Sequence, residues 1–346
     1  MKVAIHNGRG KRYSWDIAWV QYCKENKIPY IVVDCYSSNI IEELKKNDVT
    51  HLMWAFSLAL PKDLLMARNV LFSAEKMGIR VFPDFNTSWH FDDKVSQKYL
   101  LEAVDAPVVP SWAFYEEKEA LEWLQSAQYP LVAKLRRGAG SYNVRLIRNY
   151  GQAKRYCRKM FHKGVLPTPG YLADGKNKLK VAYRGGISGI INRIKKAPTF
   201  FRQIRYGRNL FPKEKGYVYF QQFIPGNTHD LRIAVVNGRV WGFHRKVRDN
   251  DFRASGSGII DYEMEIPSHI VKKSLEVARK LGTQSVAFDY VKDVSGNYYI
   301  VEISYGYVGQ AIYDCKGYWD SDLNFHKGHF YPESLILEDL ISDSRN

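Results

Sequence analysis

Val286-Ala-Phe-Asp289-Tyr-Val291 and Tyr298-Tyr-Ile-Val-Glu302-Ile-Ser304 are two apolar, aromatic runs, each carrying a single carboxylate. Runs of this length, rich in β-branched and aromatic residues, read as adjacent strands. A charge inside such a strand is costly to bury and needs a partner or a metal. Upstream, Pro130-Leu-Val-Ala-Lys134 is a third apolar strand, followed by Leu-Arg-Arg-Gly138-Ala-Gly140-Ser141. Packing explains poorly a lysine placed directly between an apolar strand and two glycines. A lysine amine and the exposed backbone N–H groups of a glycine-rich turn do, however, neutralise and cradle phosphate. Carboxylates are hard oxygen ligands for Mg²⁺, which fills its remaining positions with substrate phosphates and water. The three stretches together supply the parts of a magnesium–nucleotide site.

Outward from these stretches, residues 1–90 alternate strands and helices. Val3-Ala-Ile5, Tyr30–Asp34, His51–Trp54 and Arg80–Phe82 read as strands, separated by helical patterns at Trp15–Asn26, Ile40–Lys46 and Lys62–Met77. Such alternation predicts a parallel sheet with covered faces. No G-x-G-x-x-G follows the first strand, so a dinucleotide fold of the usual kind is not indicated. Phe91-Asp-Asp-Lys94 opens a helix to about Val104, with an aspartate to cap it. Val108–Trp112, a helix at Glu116–Gln125 and the strand Val144–Ile147 surround the glycine-rich turn. Strands then recur at Tyr217–Ile224, Asp230–Val236 and Arg239–Lys246, and a helix at Ile270–Leu281 precedes the final strand pair. The expected division is an N-terminal α/β domain at 1–90, a first subdomain with the glycine-rich loop at 91–164, and an insertion at 165–215. A second subdomain with the metal site at 216–310 and an aromatic C-terminal cap at 311–346 complete it.

A chain of 346 residues is long enough for about two or three domains. Its 45% hydrophobic and 25% charged content is that of a globular protein. Four scattered cysteines, Cys23, Cys35, Cys157 and Cys315, form neither a disulfide framework nor a zinc knuckle, as expected in a reducing cytosol. The start, Met1-Lys-Val-Ala-Ile-His-Asn7, has too short an apolar run for a signal peptide, and no stretch reaches the length of a membrane span. The expected location is the cytoplasm, or the inner face of its membrane. Charge is unevenly spread. Residues 151–215 hold 17 Lys+Arg and 2 Asp+Glu, which leaves 34 of each sign elsewhere, so the whole net +15 resides in one segment.

In order and spacing, the stretch from Phe91 to Ser304 resembles the ATP-grasp superfamily of carboxylate–amine ligases, whose members include D-alanine–D-alanine ligase, glutathione synthetase and a glutamate ligase acting on a ribosomal protein. The resemblance implies the α/β ATP-grasp fold, with ATP and Mg²⁺ (two ions) as cofactors. It implies that Lys94 of Asp93-Lys94, and Lys134 with Gly138, Gly140 and Ser141, contact the nucleotide phosphates. Gln221-Gln222-Phe223-Ile224-Pro225-Gly226 matches the linker strand against which adenine lies, which assigns Gln222, Phe223 and Ile224 to ATP. Asp230 and Arg232 match the family's D-x-R pair, placing both at the substrate. Arg232, Arg245 and Arg253 correspond to its catalytic arginines near the transferring phosphate. Asp289, Glu302 and Ser304 correspond to its metal ligands. Three positions depart from the family pattern. Ser304 stands for the usual asparagine and offers a weaker donor, Gln222 stands for a frequent glutamate, and Leu135 follows Lys134 where proline is usual.

Each of these residues also has a plainer reading. Lys94 could be a solvated helix-start residue, with Lys98 a competing candidate one turn on. Asp289 and Glu302 could form salt bridges with Arg245 or Arg253, and the Gly138–Gly140 turn could be a simple hairpin. His326 and His329 lie near Cys315, but the set lacks a fourth ligand and the surrounding aromatics favour a packed cap.

The insertion has its own pattern. Ile187, Ile190, Ile191 and Ile194 recur at helical spacing beside Arg193, Lys195 and Lys196, and Phe200–Phe211 interleaves aromatic and basic residues. A basic amphipathic pattern with aromatics predicts contact with an anionic surface. A membrane anchor over residues 185–211, a clamp for a polyanionic acceptor, and a subunit contact in a homo-oligomer stay open, with nucleic acid last because no recognised binding motif is present. Asp84–Leu101, Phe252–Gly258 and Glu302–Tyr307 also resemble ATP-grasp proteins associated with bacterial surface polysaccharide synthesis. That likeness implies an amino acid or amine joined to an acidic or lipid-linked glycan. A phosphotransferase, or a non-catalytic ATP-binding scaffold, is the alternative.

Overall fold

A computed structural model describes residues 1–8, 15–58, 60–138, 143–167, 213–247 and 258–342. They group into two units: residues 1–91, 100–107 and 226–346, and residues 92–99 and 108–225.

In the first unit, four short apolar runs become β1 (Val3–His6), β2 (Tyr30–Val33), β3 (His51–Met53) and β4 (Arg80–Phe82). They pair in parallel in the order β2-β1-β3-β4, as the alternation with α1 (Asp16–Glu25), α2 (Ile40–Lys46) and α3 (Pro61–Lys76) predicts. A short helix, α4 (Phe85–Ser88), follows, capped by the Asp84 carboxylate, which accepts from Thr87 N at 2.8 Å.

The same unit contains a seven-stranded antiparallel sheet. Its strands are β9 (His229–Val236), β10 (Arg239–Lys246), β11 (Ile260–Asp261), β12 (Ser285–Lys292), β13 (Tyr298–Ser304), β14 (Gly317–Trp319) and β15 (Phe325–Lys327). The order is β13-β12-β9-β10-β14-β15, with β11 on β10. Period-two alternation gives this sheet two characters. Leu231, Ile233, Val286, Phe288 and Tyr290 lie on one face with helix α8 (Ser268–Leu281), where the Ser274 and Tyr290 hydroxyls are 2.9 Å apart. On the other, Ala234, Val236, Trp241, Phe243 and Ala287 join the core formed by β1–β4. Helix α9 (Gly309–Tyr313) and the last helix, α10 (Pro332–Ser342), close that core, with α10 against α1, β3 and β9. Trp19 Nε1 donates to the Glu333 carbonyl at 2.9 Å.

The second unit is built on a four-stranded antiparallel sheet, β5 (Ser111–Phe114), β6 (Leu131–Lys134), β7 (Val144–Ile147) and β8 (Val218–Gln222), in the order β5-β8-β6-β7. Helices α6 (Glu117–Ser126) and α7 (Tyr150–Phe161) cover it through Ala120, Leu124, Ala153, Tyr156, Cys157 and Met160. Helix α5 (Lys94–Ala103) begins in this unit and ends in the first. The sequence reading missed α7 because Lys154, Arg155, Arg158 and Lys159 assign it to the basic segment. Its buried residues nonetheless keep the i, i+3, i+4, i+7 spacing of an amphipathic helix, and Asn149 caps it by accepting from Gln152 N at 3.0 Å. The strand expected at the start of the second subdomain, β8, lies between β5 and β6. The expected anchor at 185–211, with most of the insertion, lies outside the described residues.

Candidate active site

Five charged side chains of the first unit, Asp230, Arg232, Arg245, Asp289 and Glu302, share one face of the seven-stranded sheet. Asp289 on β12 is directly opposite Arg232 on β9 and Glu302 on β13, while Asp230 on β9 is opposite Arg245 on β10. Directly opposed residues point to the same face with Cβ atoms roughly 4.5–5.5 Å apart. Ser304, two residues beyond Glu302, shares that face. Arg232 grips Asp289 with two bonds, Nε to Oδ1 at 2.8 Å and Nη2 to Oδ2 at 2.9 Å. Arg245 does the same to Asp230, at 2.7 and 2.5 Å, and its Nη2 lies 3.0 Å from Asp289 Oδ1. The result is a continuous chain, Arg232–Asp289–Arg245–Asp230, with Asp230, Arg245 and Asp289 all buried.

Fork-to-fork arginine–carboxylate pairs are the geometry in which buried charge is best tolerated. Burial works against an ionised Asp289, but Arg232 and Arg245 outweigh it and hold the carboxyl well below the usual carboxylate range. Arg245 is held firmly charged; burial opposes this and the two aspartates prevail. The salt-bridge reading of Asp289 is therefore realised, with Arg245 as expected and with Arg232, which the sequence reading had placed at the substrate and the transferring phosphate, as a second partner. Arg253 lies outside the described residues.

Asp289, Glu302 and Ser304 can still hold a cation. A carboxylate offers about four lone-pair sites, so the Arg232 fork and the single Arg245 contact do not exhaust the oxygens of Asp289. Among these five described side chains three carboxylates, Asp230, Asp289 and Glu302, stand against two arginines, which favours a divalent cation. The Ser304 hydroxyl donates to the Gly306 carbonyl at 2.8 Å, which leaves its oxygen lone pairs as acceptors. Two hard carboxylates and a hydroxyl suit Mg²⁺, which takes few protein ligands and completes its shell with phosphate and water. Among the described residues no cluster of three or more His, Cys, Asp or Glu could hold a metal by itself.

In the second unit, Lys134 ends β6 and Lys94 opens α5, and both side chains are buried, at 4% and 5% exposure. Lys94 Nζ donates to the Gly138 carbonyl at 2.6 Å. Lys98, the competing candidate, is less buried and lies with Nζ 4.3 Å from the Tyr99 ring centroid. Gly138 has φ +122°, a backbone conformation that residues with a Cβ rarely adopt, so this turn favours glycine. In the described part of the turn the backbone N–H groups expected to be exposed are engaged. Arg136 N donates to Glu214 Oε2 at 3.0 Å and Tyr217 Oη at 2.6 Å, Arg137 N to Glu214 Oε1 at 3.2 Å, and Gly138 N to Asp92 Oδ1 at 2.7 Å. The Arg136 guanidinium binds Asp93, which also caps α5 by accepting from Ser96 N at 3.0 Å. Gly140 and Ser141 lie outside the described residues.

On β8 it is Gln221, rather than Gln222, that is buried, donating to Ser111 Oγ at 3.1 Å. Gln222 is exposed, and Phe223 and Ile224 are half-buried. His326 Nε2 lies 2.7 Å from Asp320 Oδ2, and His329 Nδ1 lies 2.7 Å from the Tyr313 carbonyl. Cys315 instead lies buried against the Gly242 and Ala311 carbonyls. The sequence reading missed Asp92, Glu214 and Tyr217. Glu214 did carry a signal, as one of only two acids in residues 151–215.

No family model matches the chain. A curated relative, the α-aminoadipate–LysW ligase LysX of Saccharolobus solfataricus, is 20% identical over 287 residues, covering 80% of this chain and 84% of the relative. The D-alanine–D-alanine ligase of Bacillus anthracis superposes with a TM-score of 0.54 at 16% identity, over 100% of this chain and 97% of that one. A RimK-domain ATP-grasp protein of Sphaerobacter thermophilus gives 0.51 at 13% identity, over 99% and 100%. The fold is thus the ATP-grasp fold.

Proposed function

We propose that the protein is an ATP- and Mg²⁺-dependent ligase that joins a carboxylate to an amine. The observation that carries this reading is Asp289 opposite Glu302 on adjacent strands, backed by Arg232 and Arg245 on the same face. The ATP-grasp fold supports it, as does the likeness to one ligase of α-aminoadipate and LysW and another of D-alanine.

Asp289 and Glu302, assisted by Ser304, hold the cation, which when bound neutralises phosphate charge. Lys94 and Lys134, buried at the glycine-rich turn, offset the remaining charge of the nucleotide, whose adenine lies against Gln222, Phe223 and Ile224. The substrate carboxylate attacks the γ-phosphorus and the bond to the β-phosphate oxygen breaks, giving an acyl phosphate and ADP, while Arg232 and Arg253 meet the charge that builds on the transferring group. Arg245, tied to both Asp230 and Asp289, keeps that face rigid and Asp289 ionised. The acyl phosphate then reacts with the amine to give an amide and phosphate. The substrate carboxylate belongs to an acidic sugar or glycan, a class matched by the basic charge of residues 151–215.

The test is magnesium-dependent ADP release with paired acidic sugars and amino acids, with hydroxylamine present to trap an acyl phosphate as a hydroxamate. A ligase gives ADP that depends on a carboxylate, and hydroxamate with it. ADP formed with a phosphorylated hydroxyl product, and no hydroxamate, replaces the ligase by a phosphotransferase.

A further inference from the structure

The neck of the basic insertion holds a carboxylate against the glycine-rich turn. Val165 and Glu214 form an isolated antiparallel bridge, each N–H donating to the other's carbonyl at 2.9 Å. Gly164 passes so close that a Cβ there falls 2.9 Å from the Glu214 carbonyl oxygen, at φ +66°. Gly216 N donates to the Met160 carbonyl at 3.1 Å, anchoring the neck to the end of α7. The Glu214 side chain is fixed as well, since the buried Tyr217 hydroxyl donates to it. Its two oxygens take the consecutive N–H groups of Arg136 and Arg137, at 3.0 and 3.2 Å. Consecutive backbone N–H groups converging on one anion are the arrangement that loops use to bind phosphate. Here a carboxylate from the chain itself occupies it.

We propose that Glu214 is a positioning residue for nucleotide binding, acting through Lys94 and Lys134; the proposal rests on the ATP-dependent reading. By fixing residues 136 and 137, Glu214 sets the turn between Lys134 and the Gly138 carbonyl that receives Lys94 Nζ. The N–H groups of Arg136 and Arg137 are spent on Glu214, so phosphate contact in this stretch falls to the two lysine amines. Glu214, one of two acids against 17 bases in residues 151–215, thereby ties Val165 and its bridge to the turn at residues 136 and 137.

The experiment uses the full chain as wild type, Glu214→Ala and Glu214→Gln. MgATP affinity is measured by calorimetry and amide exchange at Arg136 and Arg137 is followed without nucleotide. For Glu214→Ala the account expects dissociation to rise about tenfold, the factor that about 1.4 kcal/mol represents, with faster exchange at both amides. Glu214→Gln keeps the shape but has one acceptor oxygen for two N–H groups, so it recovers only part of the affinity. Full recovery by Gln overturns the requirement for two acceptor oxygens, and a folded Ala variant that binds MgATP as wild type does overturns the positioning role. Tighter binding by Ala also overturns it, and makes the carboxylate a competitor of the nucleotide. Wild type that binds no MgATP refutes the nucleotide reading itself, a failure seen without any variant. Should Glu214→Ala fail to fold, Tyr217→Phe removes the hydroxyl that fixes the carboxylate and must weaken MgATP binding; unchanged affinity there refutes the proposal.

Discussion

At Asp289 the same oxygens answer to two arginines and to the proposed cation, so its substitution has two consequences. Removing one partner from a buried ion pair costs about 3–5 kcal/mol because the remaining charge is stranded. Asp289→Asn is expected to lower unfolding free energy by that order at pH 7. Its carboxyl is depressed in the folded state, so its stabilisation is present above the unfolded value of about 3.9 and fades as pH falls into the acid range. Denaturant titrations at pH 7 and pH 3 should therefore show the gap between wild type and variant narrowing. Glu333 has the opposite sign. Burial raises its carboxyl, and Oε2 has no hydrogen-bond partner among the described residues. The cost of ionising it grows as pH rises above about 4.3. Glu333→Gln should stabilise the protein by roughly 1 kcal/mol at pH 7 and by little at pH 4. An equal effect at both pH values contradicts this assignment.

Among the elements, α10 shows how far one helix secures the first unit. Leu337 is fully buried within it, and α10 touches α1, β3 and β9. Leu337→Ala should cost about 2–5 kcal/mol in thermal or denaturant unfolding. In the first unit β1–β4, β9, β10, β12 and β13 were legible in the sequence as short, strongly apolar runs between turn residues, whereas β11, β14 and β15, of two or three residues each, are too short to show a period and were not read as strands. Asp289 and Glu302 were legible as charges that interrupt such runs. Pairings were less so. β8 joins β5 and β6 through partners such as Gln221 with Ser111, far apart in the chain, and no local pattern encodes that choice. Helix α7 kept its apolar period under a basic surface, which a reading by charge alone passes over. The bond between Glu214 and the turn was not legible, because a carboxylate seeking N–H groups leaves no periodic trace.

Across the whole molecule, positive charge and carboxylate charge are segregated by sequence. The net +15 sits in residues 151–215, whereas the proposed cation ligands lie on β12 and β13. No helix among the described residues is long and apolar enough to cross a membrane. If the basic segment recruits the proposed acidic substrate, substrate affinity should fall as salt rises, since screening shortens to about 8 Å at physiological ionic strength. The central claim is the magnesium–nucleotide site, and Glu302→Gln tests it most cleanly because no arginine fork on Asp289 or Asp230 is disturbed. The decisive measurement is ATP binding by calorimetry with and without Mg²⁺, in wild type and Glu302→Gln. The account predicts that Mg²⁺ strengthens ATP binding in the wild type and that Glu302→Gln loses most of this gain while keeping its thermal midpoint. Equal magnesium dependence in both proteins contradicts it.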